Sequence, residues 1–289
     1  MLLTLRHVFL ALCFALAVAA CSRIDLAYRN LDVLVPWSLG DYLNMNRQQK
    51  AWLDQRLKQH LAWHCQTQLP GYLEWLDQIR RMVADDQVTD QALRQRTDEA
   101  RQAIARVAEA ITPSATELLR GMSEDQVKEM SRAFRDDIHK RQTQYDKTPL
   151  PKQVNERAQR MEERLEPWFG ELNAPQRLRV LTWSQALGDQ DGQRIANRAH
   201  WQQQLVKAMA QRNTPTFEPR IAQLLQRKES LWSPEYRIVF QRSEQQARSL
   251  LVDLMEQSTP GQRQFLQQRL SKVRTDFREL KCLQATATR

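Results

Sequence analysis

The feature that most constrains this chain is the recurrence of apolar side chains every three or four residues, with few residues that break helices. Leu53, Leu57 and Leu61, for example, share one face of a helix. Only 7 glycines and 11 prolines occur in 289 residues, and no segment alternates apolar and polar positions for long enough to predict a strand. We therefore expect an all-α fold, an elongated multi-helix body of amphipathic helices joined by short loops.

Small polar residues, prolines and glycines predict where individual helices begin and end. Asn173, Ser233 and Thr259 are expected N-caps, because each is followed within two residues by a proline that suits the first helical turn. Gly170 and Gly188 are expected to end helices.

Three proline-containing segments predict interruptions. Pro36 is expected to end a helix that starts near Ile24, and Pro113 is expected to separate an alanine-rich helix from a short turn of helix closed by Gly121. Residues 148–151, Thr-Pro-Leu-Pro, are the clearest break, and a subdivision of the chain there stays open. Because the composition is alike on both sides, a single helical domain over residues 21–289 is preferred.

The first twenty residues predict export. Arg6 and His7 precede an apolar run that is typical of a signal peptide over residues 1–20 and too short to span a bilayer comfortably. The run ends in small residues, and Ala20 is followed by Cys21. This ending resembles the lipobox of bacterial lipoproteins, which implies cleavage between Ala20 and Cys21, a thioether-linked diacylglycerol on Cys21 and a further acyl chain, such as palmitate, on the new amine.

The residue after the anchor bears on location. Ser22, rather than aspartate, follows Cys21, and this resembles lipoproteins that are forwarded to the outer membrane. The resemblance implies a protein held on the periplasmic side of that membrane through its N-terminal lipid. Each buried methylene contributes about 0.8 kcal/mol, so three acyl chains would hold the protein stably.

The chain is basic, with a formal net charge of +9 that becomes +8 once Arg6 leaves with the signal peptide. Export excludes nucleic acid as a partner class, whereas a periplasmic protein or an anionic envelope component remains a candidate partner. No run of five like charges occurs, so the cations by themselves predict solvated helix faces.

Two cysteines remain after processing. Cys13 leaves with the signal peptide and Cys21 carries the lipid, which leaves Cys65 and Cys282. An oxidising periplasm would let these two form a disulfide, and the alternative is two separately buried thiols. A disulfide requires Cα atoms within about 7 Å, so it would bring the first long helix beside the last one.

A capping pattern recurs four times, in which Asn, Ser or Thr lies three residues before glutamine. Such a capping box satisfies free amides at a helix start. The four segments are Met45–Gln49, Met122–Gln126, Leu172–Gln176 and Ser258–Gln262. Their spacings are irregular, so they do not indicate a solenoid. The pattern resembles the Leu-Thr-x-x-Gln motif of small periplasmic helical chaperones of the Spy and CpxP kind, which implies binding of unfolded clients.

A second resemblance covers nearly the whole mature chain. It rests on the segments 27–32, 61–64 and 69–72, with Gln49 opening a helix between the first two. These segments resemble an uncharacterised family of proteobacterial outer-membrane lipoproteins, a domain of unknown function. That resemblance implies an all-helical lipoprotein and brings no activity, substrate or site residues. Cys65 departs from the pattern, in which a basic residue follows Trp-His.

Metal binding has one candidate pair. His60 and His64 lie one helical turn apart, a spacing that lets two imidazoles face one metal. No glutamate follows the first histidine and no second histidine-rich segment exists, so we expect His64 to be a hydrogen-bonded residue at the edge of the core. No cofactor is expected.

No catalytic residues are predicted. The nucleophile elbows and glycine-rich phosphate loops of known enzymes are missing, and the adjacent carboxylates Asp136-Asp137 and Glu162-Glu163 are expected on solvated helix faces. The leading hypothesis is a non-enzymatic lipoprotein that binds a partner through grooves between helices. The alternatives are a chaperone for unfolded periplasmic clients and a hydrolase of envelope polymers or lipids.

Overall fold

The computed structural model describes Tyr28, residues 30–280 and Cys282. These residues form eleven α-helices and no strand, which confirms the all-α prediction. The helices α1 to α11 are, in chain order, Leu31–Gly40, Arg47–Thr67, Leu69–Ala84, Asp90–Arg120, Glu124–Arg141, Leu150–Phe169, Ala174–Leu187, Asp191–Met209, Phe217–Gln226, Pro234–Glu256 and Pro260–Arg278. A π-helical turn, Gln142–Asp146, follows α5, and a 3₁₀ turn, Lys228–Leu231, follows α9.

The predicted helix boundaries that depend on capping are confirmed. The side chains of Asn173, Ser233 and Thr259 each accept a hydrogen bond from the backbone amide three residues further along. Gly170 ends α6 with φ of 73° and Gly188 ends α7 with φ of 59°. Both angles lie in the left-handed region, which glycine adopts without steric cost.

Two predicted proline boundaries are wrong. α1 continues through Pro36 to Gly40, and α4 continues through Pro113 to Arg120. A proline inside a helix removes one backbone donor and crowds the carbonyl of the preceding turn. Packing offsets this cost here, since α1 contacts α2 and α4 contacts α9, where Gln226 donates to Thr112 beside Pro113. The part of the expected first helix before Tyr28 lies outside the described residues.

The helices enclose two main cores. Core A lies among α4, α5, α8, α9 and the loop between α1 and α2, whereas core B lies among α3, α6, α7, α10 and α11. The completely buried apolar side chains are Met130, Met209, Phe217, Ile221 and Leu224 in core A, and Val180, Leu250 and Leu254 in core B.

The chain passes between these cores more than once. Residues 148–151 lie where it leaves α5 of core A for α6 of core B. Helices α8 and α9 then return to core A before α10 and α11 complete core B. A cut at 148–151 therefore does not divide the chain into one core on each side.

All four predicted capping boxes form, and they meet in two pairs. In core A, the side-chain amide nitrogen of Gln126 lies 2.7 Å from the side-chain oxygen of Gln49. Gln49 donates to the carbonyl of Gly121 at 3.0 Å, and Gln126 donates to the carbonyl of Asn44 at 2.6 Å. Each glutamine therefore caps its own helix and also holds the connection that leads into the other helix.

The second pair repeats this arrangement in core B. Gln262 donates to the side-chain oxygen of Gln176 at 2.9 Å and to the carbonyl of Glu171 at 2.9 Å. Gln176, which is completely buried, donates to the carbonyl of Leu254 at 3.2 Å. The four motifs thus lie at helix starts that meet in two pairs, α2 with α5 and α7 with α11, although their spacing in sequence is irregular.

We expect Gln176→Ala to destabilise the protein by about 1–3 kcal/mol, because it leaves the cap amide of Asn173 and the carbonyl of Leu254 without their partner. Urea unfolding followed by circular dichroism measures this change. The control is Gln185→Ala, an exposed position on the same helix, where the change should stay within about 0.5 kcal/mol. Equal effects of the two substitutions would show that the glutamine pair does not hold core B.

Candidate functional site

The two ends of the described chain meet in one cluster, which we call the terminal cluster. Cys65 at the end of α2 and Cys282 beyond α11 form a disulfide, with Cα atoms 6.2 Å apart although the two residues are 217 positions apart in sequence. Leu69 and Leu280 are buried against it. The last helix, α11, packs along α3, the helix that directly follows α2, rather than along the first long helix as predicted. The disulfide joins the end of α2 to the segment after α11.

A histidine between two tyrosines forms the polar part of the terminal cluster. Tyr28 Oη lies 3.0 Å from His64 Nδ1, and Tyr72 Oη lies 3.1 Å from His64 Nε2. The ring of Phe277 packs edge-on against Tyr28. His64 is thus the hydrogen-bonded residue at the core edge that the sequence predicted, and it ties the start of the described chain to α2 and α3.

Burial disfavours the charged forms of these three side chains. It raises the pKa of Tyr28 to about 12, with a further contribution from Tyr72. Burial also raises the pKa of Tyr72, against an opposing effect of Arg106, and it lowers the pKa of His64. A neutral imidazole has one donor and one acceptor nitrogen, so His64 donates to one tyrosine and accepts from the other.

The candidate metal pair, His60 and His64, does not converge on a common point. His60 Nε2 lies 2.8 Å from the hydroxyl of Ser114 on α4, whereas both ring nitrogens of His64 contact tyrosines. Cys65 is in the disulfide and is not available as a thiolate ligand. Among the described residues, no group of three or more histidine, cysteine, aspartate or glutamate side chains is arranged to hold a metal ion.

One of the adjacent carboxylates, Asp137, is not on a solvated face. Arg198 donates to Asp137 at 2.6 Å and Arg141 donates at 2.9 Å, while Gln202 lies 3.2 Å away. Burial would raise the pKa of Asp137, but the two guanidinium groups outweigh it and hold the pKa below its usual range. Sequence reasoning missed this network, because Arg198 on α8 lies 61 residues after Asp137.

Two open clefts lie on core A. The first, of about 580 Å³, borders the glutamine pair of α2 and α5 and includes Arg120 and Arg212. The guanidinium of Arg212 is already bound to the carbonyl of Met122 and to Glu124, so it acts within the fold.

The second cleft has about 630 Å³ and lies between α8, α9 and the 3₁₀ turn; we call it the basic cleft. Three cations, Lys207, Arg220 and Arg227, line it together with several glutamines, and no lining residue is acidic. Lys207 and Arg227 are exposed. This arrangement suits an anionic group better than a cation or an apolar ligand.

The predicted cleavage site and lipid-attachment site, Ala20 and Cys21, lie outside the described residues. Among the residues that the structure does describe, no helix has the length and apolar character needed to cross a membrane.

Comparison with known protein families gives a match. The model of a family of unknown function, DUF6279, matches residues 41–237 of the chain. No curated protein matches, and no solved structure matches.

The disulfide of the terminal cluster leads to a prediction that can be tested on the purified protein. Non-reducing peptide mass spectrometry should find Cys65 and Cys282 in one linked peptide. The double variant Cys65→Ser/Cys282→Ser should lose about 2–5 kcal/mol of unfolding free energy in urea, because the bond closes a long loop. Wild-type protein kept in reductant should unfold like the double variant. Free, alkylatable thiols at both positions would contradict the pairing.

Proposed function

Because the chain belongs to the family of unknown function DUF6279, we propose a function from its own residues: a lipid-anchored outer-membrane protein that faces the periplasm and binds an anionic envelope component without catalysis. The observation that carries this proposal is the lipobox-like ending at Cys21, seven residues before Tyr28 of the terminal cluster. Lipid at Cys21 would hold the helical body close to the membrane surface.

The disulfide supports the location outside the cytoplasm. Structural disulfides persist in oxidising compartments and are rare in the cytosol. Cys65 and Cys282 lie near opposite ends of the mature chain in sequence, yet they are bonded to each other. A chain that uses such a bond suits the periplasm, to which the signal peptide would direct it.

The basic cleft supports the binding role. Lys207 and Arg227 are exposed on opposite elements, α8 and the connection after α9, and both line the same depression. Arg220 between them is held by Gln204 and Gln223, which fixes its guanidinium. A fixed cation flanked by two free ones attracts an anionic group and gives it a defined position.

Lipid attachment is tested by metabolic labelling with palmitate in a bacterial host. Cys21→Ala should abolish the label, because it removes the thiol that carries the diacylglycerol. Cys13→Ala is the matched control, since it changes the cysteine within the predicted signal peptide and should leave the label unchanged. Labelling of Cys21→Ala at the wild-type level would refute the anchor.

Binding in the basic cleft is tested by photocrosslinking in intact cells. A photoreactive amino acid at Gln211, an exposed residue of the cleft, should give an adduct with an acidic envelope component. Adding Lys207→Glu and Arg227→Glu should reduce the adduct by about tenfold or more, because two attractions become repulsions.

The control for this experiment carries Lys140→Glu and Arg242→Glu, two exposed cations outside the cleft. It makes the same change in net charge and should leave the adduct unchanged. An equal loss in both variants would indicate a general effect of charge and would contradict a specific site.

A further inference from the structure

Helix α1 presents an apolar face to solvent. Val33 is 62% exposed, Leu34 41% and Trp37 70%. These positions fall on one side of the helix, whereas Leu39 packs toward core A on the other. Asp32 is the only charged residue in α1, so little in the helix itself favours exposure of this face to water.

No other helix in the described part of the chain exposes three large apolar side chains together on one face. On the other helices one such side chain is exposed, for example Leu178 on α7 and Ile238 on α10, except that α4 exposes two, Ile104 and Ile111. Single exposed apolar residues are ordinary, whereas a contiguous group marks a surface that something covers.

The covalent geometry near the terminal cluster indicates what lies opposite this face. Tyr28 is the seventh residue after Cys21, and a fully extended chain over these seven steps spans at most about 25 Å. Tyr28 is held by its hydrogen bond to His64 and by its contact with Phe277. α1 begins three residues after Tyr28, so any lipid on Cys21 keeps α1 near the bilayer.

We propose that the face formed by Val33, Leu34 and Trp37 lies in the headgroup region of the bilayer that holds the Cys21 lipid. This inference rests on the proposed lipid anchor. Tryptophan is enriched at membrane interfaces, where its ring meets acyl chains and its N–H meets water. α1 is too short to span a bilayer and lies along the surface.

The contact of α1 with the bilayer sets the orientation of the protein on the membrane, whereas the lipid provides its attachment. Three acyl chains already hold a protein stably, but attachment at one point does not determine which side of the body faces the membrane. A second contact through α1 fixes which side of the body faces the membrane.

Fluorescence quenching tests this contact in the full-length protein. Protein purified from palmitate-labelled cells is reconstituted into vesicles of phosphatidylethanolamine and phosphatidylglycerol, with or without bromine on the acyl chains. Bromine near the headgroups should quench part of the emission of the eight tryptophans, and bromine deep in the chains should quench less. Trp37→Phe should lose most of the quenching.

Two sets of control variants test whether the quenching depends on the apolar face of α1. Trp232→Phe removes a half-buried tryptophan that packs on Tyr236 and Phe240, and it should keep the quenching. Val33→Ser/Leu34→Ser keeps Trp37 but removes its apolar neighbours and should reduce the quenching, whereas Leu178→Ser, at a position 64% exposed on α7, should not.

The palmitate label tests the proposed lipid anchor, and the bromine quenching tests the proposed membrane contact of α1. If the protein carries the palmitate label but Trp37→Phe does not reduce the quenching, the docking of α1 is wrong and the lipid anchor still stands. Self-association through α1, seen as a dimer with an unquenched Trp37, overturns it as well. Unlabelled wild-type protein overturns the anchor itself, and in that sample quenching through Trp37 would still support the membrane face of α1.

Discussion

Each core depends on two glutamine side chains that meet where helix starts converge. A carboxamide offers one acceptor and two donor hydrogens without charge. Gln176 uses its oxygen on the cap amide of Asn173 and its nitrogen on the carbonyl of Leu254, while Gln262 donates to it. Glutamate in both places would still cap the helices but would lack the donors and bring two negative charges together. The same side chains therefore start the helices and join them.

Sequence reasoning predicts the first of these roles and not the second. Asn46, Ser123, Asn173 and Thr259 were recognisable as caps because a capping box is local, four residues long, and needs no knowledge of the fold. Which starts meet depends on helices that lie 77 or 86 residues apart. A regular repeat would have revealed the pairing, but the lengths of the intervening helices make the spacing irregular.

At the candidate site, too, the local features follow from the sequence and the long-range contacts do not. The all-α fold and the hydrogen-bonded role of His64 follow from periodicity and from the amphipathic face of α2, and the Cys65 and Cys282 disulfide was one of two alternatives. The tyrosine partners of His64 did not follow, nor did the burial of Asp137, which depends on Arg198 arriving from α8. Adjacent carboxylates predict a solvated face only while no distant cation packs against one of them.

The disulfide has a consequence for biogenesis. Cys65 is synthesised 217 residues before its partner, so the bond forms only when almost the whole chain has been made. Until then the thiol of Cys65 remains available to attack other disulfides in thiol–disulfide exchange. A chain that stops before Cys282 never gains that partner for Cys65. The bond thus distinguishes complete chains from truncated ones, and in the proposed periplasmic location it is a chemical difference on which oxidising enzymes and proteases can act.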